Sequence, residues 1–225
     1  MRVLPRGRHG LARTVVEESQ RVRLLEAIIE TVAESGYTAT TLSDIVRAAG
    51  ISRKTFYEHF ESKQACFATA FQAKLDRHEE ESLIAAGQCD NWYDALCAGA
   101  EAFVRFFVEE PAYARVWERS VLAASEDLLK LSYAGDEQII GLLRVTHGRI
   151  QATGLGPTTV NEDLYWAIAG AVTEVTRHAM RANDLSVLAP MIVGLVSMLL
   201  TFPIPLTDVK ESQLAAIHAT LVHTA

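Results

Sequence analysis

Residues 40–60 read Thr-Thr-Leu-Ser-Asp-Ile-Val-Arg-Ala-Ala-Gly-Ile-Ser-Arg-Lys-Thr-Phe-Tyr-Glu-His-Phe, and few folds accept them. Leu42, Ile45, Val46 and Ala49 form an apolar stripe only about two turns long. Thr41, followed three residues later by Asp44, fits a capping box that starts this helix. Gly50 supplies the positive φ of the sharp turn that ends it. Ser52 caps a second short helix, in which Phe56 and Phe60 lie four apart and face inward while Arg53, Lys54, Tyr57 and His59 are left outside. Two short helices joined by a tight turn containing glycine predict a helix-turn-helix. The second helix of such a motif lies in the major groove of DNA, where residues at its N-terminus, here Ser52, Arg53, Lys54 and Thr55, reach base edges or phosphates.

Charge bears on that expectation. The 225 residues carry 21 Lys+Arg and 28 Asp+Glu, a net −7, which on average disfavours a polyanionic partner. The average hides a change of sign. Residues 1–60 hold nine basic and seven acidic side chains, a net of +2, and the rest of the chain holds twelve and twenty-one, a net of −9. The three cysteines, Cys66, Cys89 and Cys97, include no CxxC pair, so neither a disulfide framework nor a zinc knuckle is indicated. The basic start of the chain is not followed by an apolar run with a small-residue cleavage site. The expected compartment is the cytoplasm. Residues 185–205 are apolar but broken by Pro190, Gly194, Ser197 and Pro203, and they predict a buried helix rather than a membrane span.

Along the chain, Val22, Leu25, Ile28, Ile29, Val32 and Ala33 give residues 17–35 the stripe of an amphipathic helix, ended by Gly36. Residues 1–16 hold four arginines and no acid, without a usable period, and read as a mobile basic arm. Residues 63–87 form a longer helix with Phe67, Phe71 and Leu75 on one face and Glu79-Glu80-Glu81 as a solvated charge run. The remainder reads as helix throughout, over residues 92–108, 112–124, 126–152, 160–181, 187–202 and 213–223, with a break at Pro111 and a loop at Gly154-Leu155-Gly156-Pro157. The chain is therefore expected to be all-α. It divides into a basic arm (1–18), a three-helix helix-turn-helix domain (19–62) and a helical ligand-binding and dimerisation domain (63–225).

Residues 20–67 resemble the N-terminal domain of TetR-family transcriptional regulators. The likeness rests on Gly36-Tyr37, Thr41, Ile45, Ala49-Gly50-Ile51-Ser52, Thr55-Phe56-Tyr57, His59-Phe60 and Ser62-Lys63, and covers about a fifth of the chain. Val46 stands where the family usually has Ala, and Lys54 where Gly is frequent. The resemblance implies that Thr41 meets a phosphate, that Arg53, Lys54 and Thr55 enter the groove, and that Tyr57 and His59 hold the DNA backbone. Lys63, by its charge and its place at a helix start, is expected to touch another phosphate. The basic arm either follows a minor groove or is a disordered leader.

The same resemblance implies a homodimer built on residues 160–181 and 187–202, a double-stranded palindromic operator, and a small-molecule effector bound between the middle helices. Of the aromatic residues there, Phe103, Phe107, Trp117 and Trp166 are candidate ligand contacts, with His147 and His178 as polar anchors. Aromatics at helical spacing more often belong to a core. Glu174 and His178 lie four apart on one helical face, yet no third ligand is evident, so no metal site is expected, and no cofactor is implied. His218 and His223 read as surface residues. No nucleophile elbow, HExxH, P-loop or GxGxxG is present, so an enzyme is not expected. The leading reading is a ligand-responsive regulator, most often a repressor in this family. It competes with a helical enzyme or carrier that happens to hold a helix-turn-helix, and with an effector-independent DNA-binding protein.

Overall fold

In several helices a short polar side chain takes up the N–H groups that the first turn leaves unpaired. Thr41 Oγ1 accepts from the Asp44 N–H at 3.3 Å, Ser52 Oγ from Thr55 at 3.0 Å, Ser62 Oγ from Ala65 at 3.0 Å, and Asn91 Oδ1 from Asp94 at 2.9 Å. The computed structural model describes residues 13–120, 126–154, 160 and 162–201. Among them the chain is helical with no strand. The helices are α1 (Arg13–Ser35), α2 (Leu42–Ala49), α3 (Arg53–His59), α4 (Lys63–Gly87), α5 (Trp92–Glu109), α6 (Pro111–Ser120), α7 (Glu126–Ala152), α8 (Glu162–Ala182) and α9 (Leu188–Thr201). Pro111 opens α6, where a missing N–H costs nothing. The expected helix over 213–223, with His218 and His223, the loop residues after Gly154, and the arm up to residue 12 lie outside the described residues.

One boundary moves. Arg13–Glu18, expected to belong to a mobile arm, are the first turns of α1. Val16 lies four residues before Gln20 and eight before the fully buried Leu24, so the inward face of the helix begins there.

Two apolar cores meet at α5, where Phe103 packs against both. The first joins α1, α2 and α3 to the N-terminal half of α4 and to Phe106, Phe107, Tyr113 and Trp117 of α5 and α6. The second joins α5, α7, α8 and α9 through Ile140, Ile150, Ile168, Val172, Val196 and Leu200. Packing therefore continues across residues 62–63. The helix pair α2–α3 has so little length of its own that it depends on the first core: Ile45 and Phe56 are fully buried in it. Truncating such a Phe costs about 3–5 kcal/mol.

Helix α9 buries one face, Leu188, Ile192, Val196 and Leu200, and leaves Met191 and Met198 about half exposed at 45% and 52%. Pro190 falls in its first turn, where the helix tolerates it. None of the described helices is long and apolar enough to cross a membrane.

Candidate functional site

The turn between α2 and α3 is built as the local sequence dictates. Asp44 accepts from the Thr41 backbone N–H at 3.0 Å and from its hydroxyl at 2.6 Å, which completes the capping box. These hydrogen bonds from Thr41, together with Arg47 at 2.7 Å, hold the Asp44 carboxyl below its ordinary range. Gly50 adopts φ 64°, ψ 38°, and the Ile51 N–H closes onto the Val46 carbonyl at 3.0 Å. A second anchor comes from α1: Arg23 Nη1 donates to the Ala49 carbonyl at 3.0 Å, at the C-terminal end of α2 where a cation is favoured. Arg21 lies 4.8 Å over the Phe60 ring and clamps the far end of α3.

Helix α3 turns Phe56 into the core and leaves its other side in water. Arg53 and Lys54 are exposed, and Tyr57 is 60% exposed, its ring set edge-on to Phe56 at 5.5 Å. Arg53 donates to Ser43 Oγ, tying the start of α3 to α2. Lys54 makes only a 3.9 Å approach to Glu58 in full solvent, a pairing worth little. Ser52 and Thr55 are joined to each other, hydroxyl to hydroxyl, at 2.9 Å. Thr41 is exposed at the start of α2. Arg53, Lys54 and Tyr57 thus form an exposed row on a fixed helix.

Two expected contacts prove to be placed differently. His59 is half-buried rather than outside, its Nε2 3.1 Å from Gln20 Oε1 of α1, because the end of α3 packs back onto α1. Lys63 is not a free cation. Its Nζ donates to the carbonyls of Tyr37 and Thr40, both at 2.8 Å, and lies 4.3 Å over the Tyr37 ring. Partial burial holds this ammonium below the ordinary lysine range. The α1–α2 loop ends in carbonyls that need donors, and Lys63 supplies them.

In the second domain an apolar cavity with about 70 Å³ of free volume lies between α4, α5, α7, α8 and α9. Small side chains on α5, Ala95, Gly99 and Ala100, open it, and Phe103, Leu143 and Val196 are among its walls. Its two hydroxyls, Ser82 and Thr146, donate to the carbonyls of their own helices at 3.0 and 2.9 Å. A smaller chamber of about 20 Å³ shares Ser82, Phe103, Ile139 and Leu142 with it and adds His78, Glu79, Trp117 and Gln138.

Of the candidate ligand contacts, Phe103 and Trp117 line these chambers and the other four do not. Phe107 is fully buried against Tyr113, with stacked rings at 6.0 Å. His147 is buried and joined to the Tyr165 hydroxyl at 2.6 Å, so its polarity is satisfied within the core. Trp166 and His178 lie on the exposed side of α8. The Glu174 carboxylate is held by Arg177 and Arg181 at 3.0 and 2.8 Å.

Two residues were not anticipated. His78 is sandwiched between the rings of Phe103 and Phe106, each 4.5 Å away, with Nε2 2.9 Å from the Phe103 carbonyl, and burial pushes its imidazole down to about 4. Glu79, expected in a solvated run, is half-buried in the wall of the smaller chamber. Only Glu80 of that run is exposed, and Glu81 pairs with Arg77 at 2.8 Å.

Comparison with known proteins agrees with this layout. Residues 24–70 match the model of a family described as bacterial regulatory proteins, tetR family. The transcriptional regulator AlkX of Mycobacterium tuberculosis is 34% identical over 53% of this chain, which spans 56% of that protein. The mycofactocin biosynthesis regulator MftR of the same organism, itself described as putative, is 28% identical over 72% of this chain and 80% of its own length. Among solved structures, the fatty acid degradation regulator FadR of Bacillus halodurans superposes with a TM-score of 0.71, over 79% of this chain and 94% of that one. Its sequence identity is 18%, so this likeness concerns the fold.

Proposed function

Since this chain belongs to the TetR family of bacterial transcriptional regulators and is not an enzyme, we propose that it is a ligand-responsive repressor that binds a palindromic operator as a homodimer in the cytoplasm. The observation that carries the DNA reading is the exposed row Arg53, Lys54 and Tyr57 on a helix whose opposite side is locked by Phe56. Arg53 and Lys54 enter the major groove, Thr55 and Ser52 approach the phosphates or bases beside them, and Thr41 and Tyr57 hold the backbone.

The dimer reading is supported by the outer faces of α8 and α9. Trp166, Ala167 and Gly170 on one helix and Met191, Gly194 and Met198 on the other are exposed. A second copy covers this largely apolar surface in an isologous four-helix contact and sets two recognition helices about 34 Å apart.

The effector reading is supported by the apolar cavity, whose hydroxyls are already satisfied and which therefore favours a hydrocarbon group. Ligand there acts through α4, whose far end carries α3. It switches the protein only as far as it prefers one conformation, about 10⁴-fold for a reversal from 99:1 to 1:99, and operator DNA must weaken ligand binding in return. An effector-independent DNA-binding protein has no use for such a cavity.

The test is selection of bound DNA from a random pool, with and without apolar metabolites. Recovery of a two-fold symmetric site whose affinity falls with ligand supports the reading. An asymmetric consensus, or affinity indifferent to every ligand, refutes the corresponding part.

A further inference from the structure

The smaller chamber has a chemistry that the apolar cavity lacks. Glu79 lies in its wall, with Oε1 3.8 Å from where a Cβ on Gly141 of α7 would stand, so the carboxylate is pressed between two helices. Among the described residues no donor and no cation reaches it. The basic side chains around it are engaged elsewhere: Lys74 and Arg77 with Glu110 at 2.7 and 2.8 Å, Arg177 with Glu174 at 3.0 Å, and Arg149 with the carbonyl of Ala86 at 3.0 Å. The charge of Asp76 acts on it by repulsion, and Asp76 itself receives the Gln138 amide at 3.3 Å. His78 beside it is neutral and contributes no positive charge. The rest of the wall includes the rings of Phe103 and Trp117.

A carboxylate with no partner among the described residues, in a wall it shares with Phe103 and Trp117 and beside an apolar chamber, is complementary to one kind of molecule. Its charge asks for a cation, the aromatic residues of the wall exclude water from the pair, and the adjoining chamber takes hydrocarbon. We infer that the two chambers together take an amphipathic organic cation, whose hydrocarbon part fills the larger chamber and whose ammonium group pairs with Glu79. This assignment rests on the reading of the cavity as the effector site. Burial and Asp76 raise the proton affinity of Glu79, as expected of an acid lacking the counter-ion its site is shaped for. An anionic head group faces repulsion in the same place.

The test compares three ligands of equal chain length, hexylamine, 1-hexanol and hexanoate, by calorimetry on the full-length protein. Hexylamine is expected to bind at least about tenfold more tightly than hexanol, and hexanoate more weakly than either. In Glu79→Gln the amine and alcohol are expected to fall within about twofold of each other. The wild-type comparison needs no variant to fold, so it decides the point alone if Glu79→Gln does not. A preference for the amine that survives in Glu79→Gln overturns the assignment. So does equal binding of amine and alcohol; if a cavity-filling Gly99→Leu removes that binding, the cavity stands as the effector site without the cation. Binding of none of the three, with DNA affinity unmoved, overturns the assignment together with the cavity's role.

Discussion

Lys63 and Tyr37 are joined twice, by a 2.8 Å hydrogen bond from Nζ to the Tyr37 carbonyl and by the placement of the same nitrogen 4.3 Å above the Tyr37 ring. The contact closes the α1–α2 loop onto the start of α4 and makes Lys63 part of the scaffold of the DNA-binding domain.

Lys63→Met, which keeps the aliphatic stem, is expected to destabilise the protein by about 1–3 kcal/mol, because two carbonyls lose a charged donor and a ring loses its cation. The dependence of operator affinity on salt should keep its slope. Urea unfolding and a salt titration read the two effects separately. A stable variant whose slope drops by about one unit would identify a phosphate contact instead.

The two exposed cations of α3 should separate by kind of contact. Arg53→Ala is expected to relax base preference at one position of each half-site, at a cost of about 1–3 kcal/mol. Lys54→Ala should weaken binding to all sequences alike and lower the salt slope by about one unit per half-site. Competition among mutated operators distinguishes them, and the reverse pattern would exchange their roles.

His78 makes stability depend on pH. Its folded-state value of about 4 lies below the ordinary 6.5, so the unfolded chain takes up the proton first. This contribution is complete above about pH 6.5, is lost as pH falls from there, and is exhausted near pH 4, for a total on the order of 3 kcal/mol. Denaturant melts of wild type and His78→Phe at pH 7 and pH 5 check this. The variant should lose less stability than wild type between the two, and parallel losses would contradict the assignment.

Gly99 lies inside α5, where a Cβ would meet Ala86 Cβ and the Ser82 carbonyl at 3.6 Å, ordinary contact distance. Gly99→Ala is therefore expected to stabilise the chain by about 0.5–1 kcal/mol through helix propensity. It also narrows the cavity. Thermal melts without ligand should rise, and a fall would mean that Ala86 and Ser82 cannot give way.

On α9, a Cβ at Gly194 meets nothing within 4 Å in the single chain. Gly194→Glu should fold normally, yet on the proposed dimer it adds a charge to the face that the second copy covers. Sedimentation at micromolar concentration should show a monomer with greatly reduced operator affinity. An unchanged dimer would place the interface elsewhere.

What the sequence made legible is what depends on near neighbours. The capping box of Thr41 and Asp44, the turn at Gly50 and the inward Phe56 are settled within a few residues, and the structure reproduces each. The engagement of Lys63 is not legible, because its partners lie 23 and 26 residues away and are backbone oxygens, which a sequence does not display. The anchor from Arg23 is hidden for the same reason, since its acceptor is the backbone carbonyl of Ala49. The aromatics of the second domain divide between core and cavity only once five helices are packed, and periodicity has no access to that division. Glu79 was legible in principle. The stripe Phe67, Phe71, Leu75 advances by four, and its next step is residue 79. Its place in a run of three glutamates concealed the arithmetic.

The 25 residues of α4 give it a length of about 37 Å, with Ser62 and the end of α3 at one extremity and Ala86 of the cavity near the other. Under the proposed function this stiff rod serves as a mechanical lever. A tilt of about 5° at the cavity end displaces the opposite end by about 3 Å, close to the 3.4 Å step between successive bases along a strand. A motion too small to disturb the packing of the second core is therefore enough to put a reading head one base out of phase.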